Sequence, residues 1–102
     1  MELALTGDRL PAQRALELGL VNALAEPGKV LDAAIELAER ITANGPLAVA
    51  ATNQIIVESR GWSPDEMWAK QTRILMPVFS SNDAKEGPKA FAEKRDPNWT
   101  GT

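Results

Sequence analysis

Between Lys29 and Ala43 the chain repeats apolar residues at the helical period, and this repeat constrains the rest. Val30, Leu31, Ala34, Ile35, Ala38 and Ile41 fall three or four positions apart and share one helix face. Asp32, Glu36, Glu39 and Arg40 lie mostly on the other. "NGP", Asn44 to Pro46, follows as a C-cap glycine and a proline fit to open the next helix. A chain written this way predicts helix on helix rather than sheet.

The remaining punctuation agrees. Pro11 suits a first turn and Gly19 a stop, which predicts a short helix over 11–18. "LVNALAEP", Leu20 to Pro27, reads as extended and too short to build a sheet alone. Gly7 closes "MELALTG", which begins abruptly in an apolar pattern and reads as the end of an element. Four main helices are predicted over 29–43, 46–60, 64–80 and 82–95. The third opens on a capping box, Ser63 with Glu66, and carries Met67, Gln71, Ile74, Leu75, Val78 and Phe79 on one broad side. Pro77 interrupts it near its end. Ser81 is the expected cap of the last helix, with Asp83 favoured by the dipole in its first turn. The fold class is therefore all-α, a small helical domain of four main helices plus one short one.

Composition narrows the chemistry. The 102 residues hold no cysteine and no histidine, which removes disulfides, thiolate sites and the commonest general base. A net charge of −3 argues against sequence-independent nucleic-acid binding. No run approaches the roughly 18 apolar residues of a membrane span, and Glu2 and Asp8 interrupt any signal-peptide pattern. A cytoplasmic location, without membrane or nucleic-acid partner, is the expectation. The carboxylate pairs Asp32/Glu36 and Asp83/Glu86 sit one turn apart but read as solvated helix faces. No catalytic residue and no metal ligand is assigned. Trp62, Trp68 and Trp99 read as core or interface residues.

The segment "DAKEGPKAFAEKRDP" remains. Lys94 and Arg95 at a helix C-terminus complement the dipole without any ligand. The same pair, with Lys89 about a turn earlier, could meet an anion such as a phosphate. Spacing alone leaves both readings open.

Three blocks in register, "LALTGDRLPAQRALELGLVN", "LAERITANGPLAVAATN" and "SNDAKEGPKAFAEKRDPNWTG", resemble the C-terminal third of the crotonase superfamily, the enoyl-CoA hydratase/isomerase family. The resemblance covers essentially the whole chain, and the tail looks most like the carnitinyl-CoA dehydratase branch. It implies that residues 1–102 are a single C-terminal helical domain of this type, without the N-terminal catalytic spiral that carries the oxyanion hole and acid–base glutamates. It implies a trimerisation role and a role in covering a CoA thioester, which is the parent enzyme's substrate; no further cofactor is expected. Lys94 matches a lysine that contacts the adenosine-phosphate end of CoA. Leu75 matches a position where some hydratases place a phenylalanine beside the adenine, and leucine offers only apolar contact there. Phe91 is expected to anchor the last helix to the core. Self-association as a homo-oligomer and lack of catalysis by the chain alone are expected. The alternative is a free-standing helical binding or scaffold module.

Overall fold

A computed structural model describes residues 2–102; the opening methionine lies outside the described residues. Six α-helices follow in order: α1 (Glu2–Thr6), α2 (Ala12–Glu17), α3 (Val30–Thr42), α4 (Pro46–Glu58), α5 (Pro64–Phe79) and α6 (Asp83–Glu93), with a 3-10 turn at Ser59–Gly61. No strand forms among the described residues. The all-α expectation holds, and the five predicted helices are present within about two residues of their expected ends. The opening "ELALT", read as the end of an element, is itself a helix of one turn and a half, closed where the Gly7 N–H donates to the Leu3 carbonyl at 3.0 Å.

The chain divides into two compact units, residues up to Leu37 and Ala38–Thr102, with the boundary inside α3. In the first, α2 ends as its residue types require. Gly19 takes φ 71°, its N–H donates to Leu16 and the Leu20 N–H reaches back to Ala15. Both bonds together form the Schellman pattern, which the missing Cβ makes accessible. No described residue of this unit is buried. Val30, Leu31 and Ile35, the apolar stripe of α3, are exposed, because nothing within the unit covers them.

In the second unit α4 packs on α5, and α5 on α6. Leu47, Ala51 and Ile55 recur every four residues along the covered face of α4, and Gln71, Ile74, Leu75 and Val78 along that of α5. Ala51 and Ala90 are the only buried apolar residues among those described. Small side chains therefore mark the closest approaches, and the large apolar ones stay at the margins. The capping expectation for α5 holds in its return arm: the Glu66 carboxylate accepts from the Ser63 N–H at 3.0 Å. An ion pair with Lys70 at 2.8 Å, followed by these Ser63 bonds, lowers its pKa to about 2.

The tail after α6 folds back over the second unit. Asp83 is 6 % exposed, and its carboxylate accepts from the Thr100 N–H at 2.8 Å, the Thr100 hydroxyl at 3.0 Å and the Gly101 N–H at 2.9 Å. Gly101 adopts φ 72°, a conformation that side-chain-bearing residues resist. The Trp99 indole donates to the Ala43 carbonyl at 2.9 Å, and its ring lies over Gly87. A Cβ on residue 87 would stand 3.3 Å from that ring, so a helix-weakening glycine is the residue that admits the indole. The reading of Asp83 as part of a solvated face is corrected here. Its partners lie 17 and 18 residues away, so local spacing carries no trace of them.

These bonds make the tail sensitive to acid. The Thr100 N–H, foremost, holds the Asp83 pKa below its ordinary value, and Arg95 draws that of Glu86 from 4.5 to about 2. A carboxylate whose folded pKa is depressed stabilises the fold above its unfolded pKa and loses that contribution as pH falls through the folded one. Stability should therefore decline between about pH 4.5 and pH 2. Asp83→Asn should melt at lower temperature than the parent at pH 7, and the gap should narrow as pH falls below the ordinary aspartate range. Thermal melts across that range, followed by tryptophan fluorescence, check this; parallel curves would remove Asp83 from the account.

Candidate functional site

Helix α6 carries the residues that sequence singled out, and its start is held by Ser81. The hydroxyl of Ser81 accepts from the Ala84 N–H at 3.0 Å and donates to the Val78 carbonyl at 2.6 Å, so one side chain joins the end of α5 to the start of α6. This is the capping role expected of it. Asp83 and Glu86 occupy the first turn, where the dipole favours negative charge.

The far end of α6 departs from expectation. The helix stops at Glu93, and Lys94 takes φ 55°, the only positive φ at a non-glycine residue among those described. Its N–H donates to Phe91 at 3.2 Å and the Arg95 N–H to Ala90 at 3.1 Å. This is again the Schellman pattern, with lysine where glycine is preferred. Lys94 and Arg95 thus lie beyond the helix, not in its last turn, and they have different environments. Arg95 donates to both oxygens of Glu86, at 2.5 and 3.1 Å, and to Glu93 at 2.7 Å. Two opposed carboxylates raise its already high pKa further. Arg95 is therefore committed to the protein, whereas the exposed Lys94 ammonium has no ion-pair partner among the described residues.

Phe91 does not anchor α6. It is 87 % exposed, because the turn of α6 that faces the protein presents Ala90 instead, at 1 % exposure. Among the tryptophans, Trp68 is 75 % exposed, while Trp62 and Trp99 are half-buried. Leu75 lies half-buried on α5. Lys94 and Leu75, the two expected CoA contacts, line none of the clefts described here, and no hydrogen bond or ion pair joins their elements to a common ligand position.

Two clefts of the second unit carry charge. One of about 320 Å³ is lined by Lys85 and Lys89 together with Asp83 and Glu86. Another of about 590 Å³ lies between α4 and α5, where the Lys70 ammonium sits 5.8 Å from the centre of the Trp62 ring and Arg73 joins it. Sequence reasoning missed this pairing. Its signal was Trp62 preceding the capping box by one residue, with Lys70 on the second turn beyond. A third cleft, of about 420 Å³, is mainly apolar and runs along Ile41, Pro46, Val49 and Trp99.

The whole chain, residues 1–102, matches the profile of the enoyl-CoA hydratase/isomerase family. The chain belongs to that family. An enoyl-CoA hydratase of Mycobacterium tuberculosis is 47 % identical over 98 residues, covering 96 % of this chain and 37 % of the relative. A carnitinyl-CoA dehydratase of Salmonella arizonae is 42 % identical over 104 residues, covering 98 % and 40 %. Among solved structures, an enoyl-CoA hydratase from Mycobacterium tuberculosis superposes over the full chain at a TM-score of 0.97 and 76 % identity, covering 40 % of that protein. Enoyl-CoA hydratase/isomerase relatives are thus about two and a half times longer than the span seen here. No helix among the described residues is long and apolar enough to cross a membrane.

The strained turn at the end of α6 has a measurable cost. A left-handed conformation disfavours lysine relative to glycine by about 1 kcal/mol. Lys94→Gly should therefore stabilise the fold by roughly 0.5–1 kcal/mol, and Lys94→Ala should not. Urea titrations of the three proteins check it.

Proposed function

We propose that this chain is the helical part of a CoA-thioester enzyme of the hydratase type, where it meets neighbouring subunits and covers the nucleotide end of the substrate. The observation that carries this reading is that each unit leaves large apolar side chains exposed, in a chain spanning about 40 % of its relatives' length. Val30, Leu31, Ile35, Ile41, Phe79 and Phe91 are all exposed. Large apolar side chains left exposed in such number usually mark an interface. In this reading the surface is covered by the remainder of such an enzyme and by other copies in a trimer, in a cytoplasmic setting. The alternative, a free-standing scaffold module, leaves the same surfaces without a defined partner.

Catalysis belongs elsewhere in this proposal. The three matching blocks contain no counterpart of the oxyanion donors or the acid–base glutamates. One oxyanion donor alone typically contributes roughly 100- to 1000-fold in rate. The purified 102-residue chain should accordingly fail to hydrate crotonyl-CoA, and it should sediment as an oligomer. Hydration above the uncatalysed rate, or a strict monomer at high concentration, would contradict the proposal.

Lys94 is the proposed ligand residue, a cation left without an internal partner at the end of α6. Leu75 is proposed to add apolar contact near the adenine. A lysine at the phosphate end, remote from the thioester, contributes equally to ground-state and transition-state binding, so its loss raises KM more than it lowers kcat. The natural test is a chimera in which this chain replaces the matching segment of the 76 %-identical hydratase. There Lys94→Ala should cost roughly 1 kcal/mol, about fivefold in KM for crotonyl-CoA. The defect should shrink as salt rises, because the contact is exposed to solvent. An unchanged KM would remove the ligand role.

A further inference from the structure

We infer that Glu86 is a positioning residue for Lys94, acting through Arg95 to keep the lysine both in place and free of internal neutralisation. The inference rests on the reading of Lys94 as the contact to the nucleotide phosphates.

The backbone argument comes first. A lysine at positive φ persists only where its surroundings over-determine the conformation. Here the residue that follows it supplies the restraint. The Arg95 N–H closes the turn onto Ala90, and the Arg95 guanidinium is tied to both oxygens of Glu86 and to the Asp96 carbonyl. A planar guanidinium held by two parallel bonds fixes direction as well as distance. Glu86 also accepts from the Asn98 N–H at 2.8 Å. One carboxylate, in the first turn of α6, thus holds the chain at residues 95 and 98, on the far side of Lys94.

The charge argument is independent of it. Lys94 is flanked in sequence by carboxylates, Glu93 directly before it and Asp96 two residues after it, while Glu86 is bonded to the neighbouring Arg95. Arg95 occupies Glu86 and Glu93. Among the described residues Asp96 makes no ion pair, and none reaches Lys94. The arginine therefore absorbs the negative charge that would otherwise compete with a ligand phosphate. Removing Glu86 leaves Arg95 paired with Glu93 alone and releases the guanidinium from the start of α6, so the turn at Lys94 loses its tether.

The test uses the same chimeric hydratase. Glu86→Ala should raise KM for crotonyl-CoA about threefold, against about fivefold for Lys94→Ala. In the double variant the two effects should not multiply, because coupled residues acting through one contact are non-additive; KM should stay about fivefold above the parent. Crotonyl-pantetheine, which lacks the nucleotide, should show no KM change with Glu86→Ala. Glu86→Gln keeps an acceptor for Arg95 and Asn98 and should fall between the parent and Glu86→Ala, which guards against loss of folding as the cause. An equal defect with the pantetheine ester, or a roughly fifteenfold double variant, would overturn the inference. Lys94→Ala raising KM while Glu86→Ala leaves it unchanged would overturn the positioning role alone. An unaltered KM in Lys94→Ala would overturn the underlying reading of the lysine together with it.

Discussion

The buried carboxylate of Asp83 is the point from which the second unit is organised. It accepts two backbone N–H groups and a hydroxyl from Thr100 and Gly101, and so converts a polar tail into a fixed layer over α6. Once the tail is fixed, Trp99 reaches Ala43 and its indole fills the space above Gly87. A buried carboxylate costs free energy unless its oxygens are satisfied, and here no buried side-chain polar atom among the described residues lacks a partner. The tail and the carboxylate therefore depend on one another.

The same economy of apolar burial explains why the polar clasp matters. Only alanines occupy the buried apolar positions, so hydrophobic burial contributes little relative to the surface exposed. Several large apolar side chains, Val30, Leu31 and Ile35 on α3, Phe79 on α5 and Phe91 on α6, are exposed. The chain spans about 40 % of the length of the solved enoyl-CoA hydratase it superposes on.

Helices were legible because their signals are local. The Val30-to-Ile41 repeat, Gly19, "NGP" and the Ser63/Glu66 box each act within a turn or two, and each element formed as they dictate. What failed was non-local. Asp83 passed for a solvated acid because its donors lie 17 and 18 residues away and two of the three are backbone groups, which carry no residue-type mark. Phe91 passed for a core anchor because periodicity does not say which face of α6 meets protein, and Ala90 takes that place. For the candidate site, Lys94 and Arg95 were grouped by adjacency. A positive φ at Lys94 separates them and sends one inward to Glu86 and the other to solvent. The resemblance to the family named the lysine; it gave no reason for the conformation that frees it.

The tail's bonds also set an order of assembly. Helices α4 and α5 are neighbours in sequence, joined by a single 3-10 turn and a few residues, so they can meet early at small loop-closure cost. The bond from Trp99 to Ala43 joins residues 56 apart and must wait for that hairpin and for α6. The clasp is thus a late, cooperative step, and the opening of residues 95–102 is the reverse of it. Partial unfolding from this end would uncover Gly87 and the Asp83 carboxylate together while leaving α4 and α5 paired, since the tail's contacts to both rest on the same three bonds.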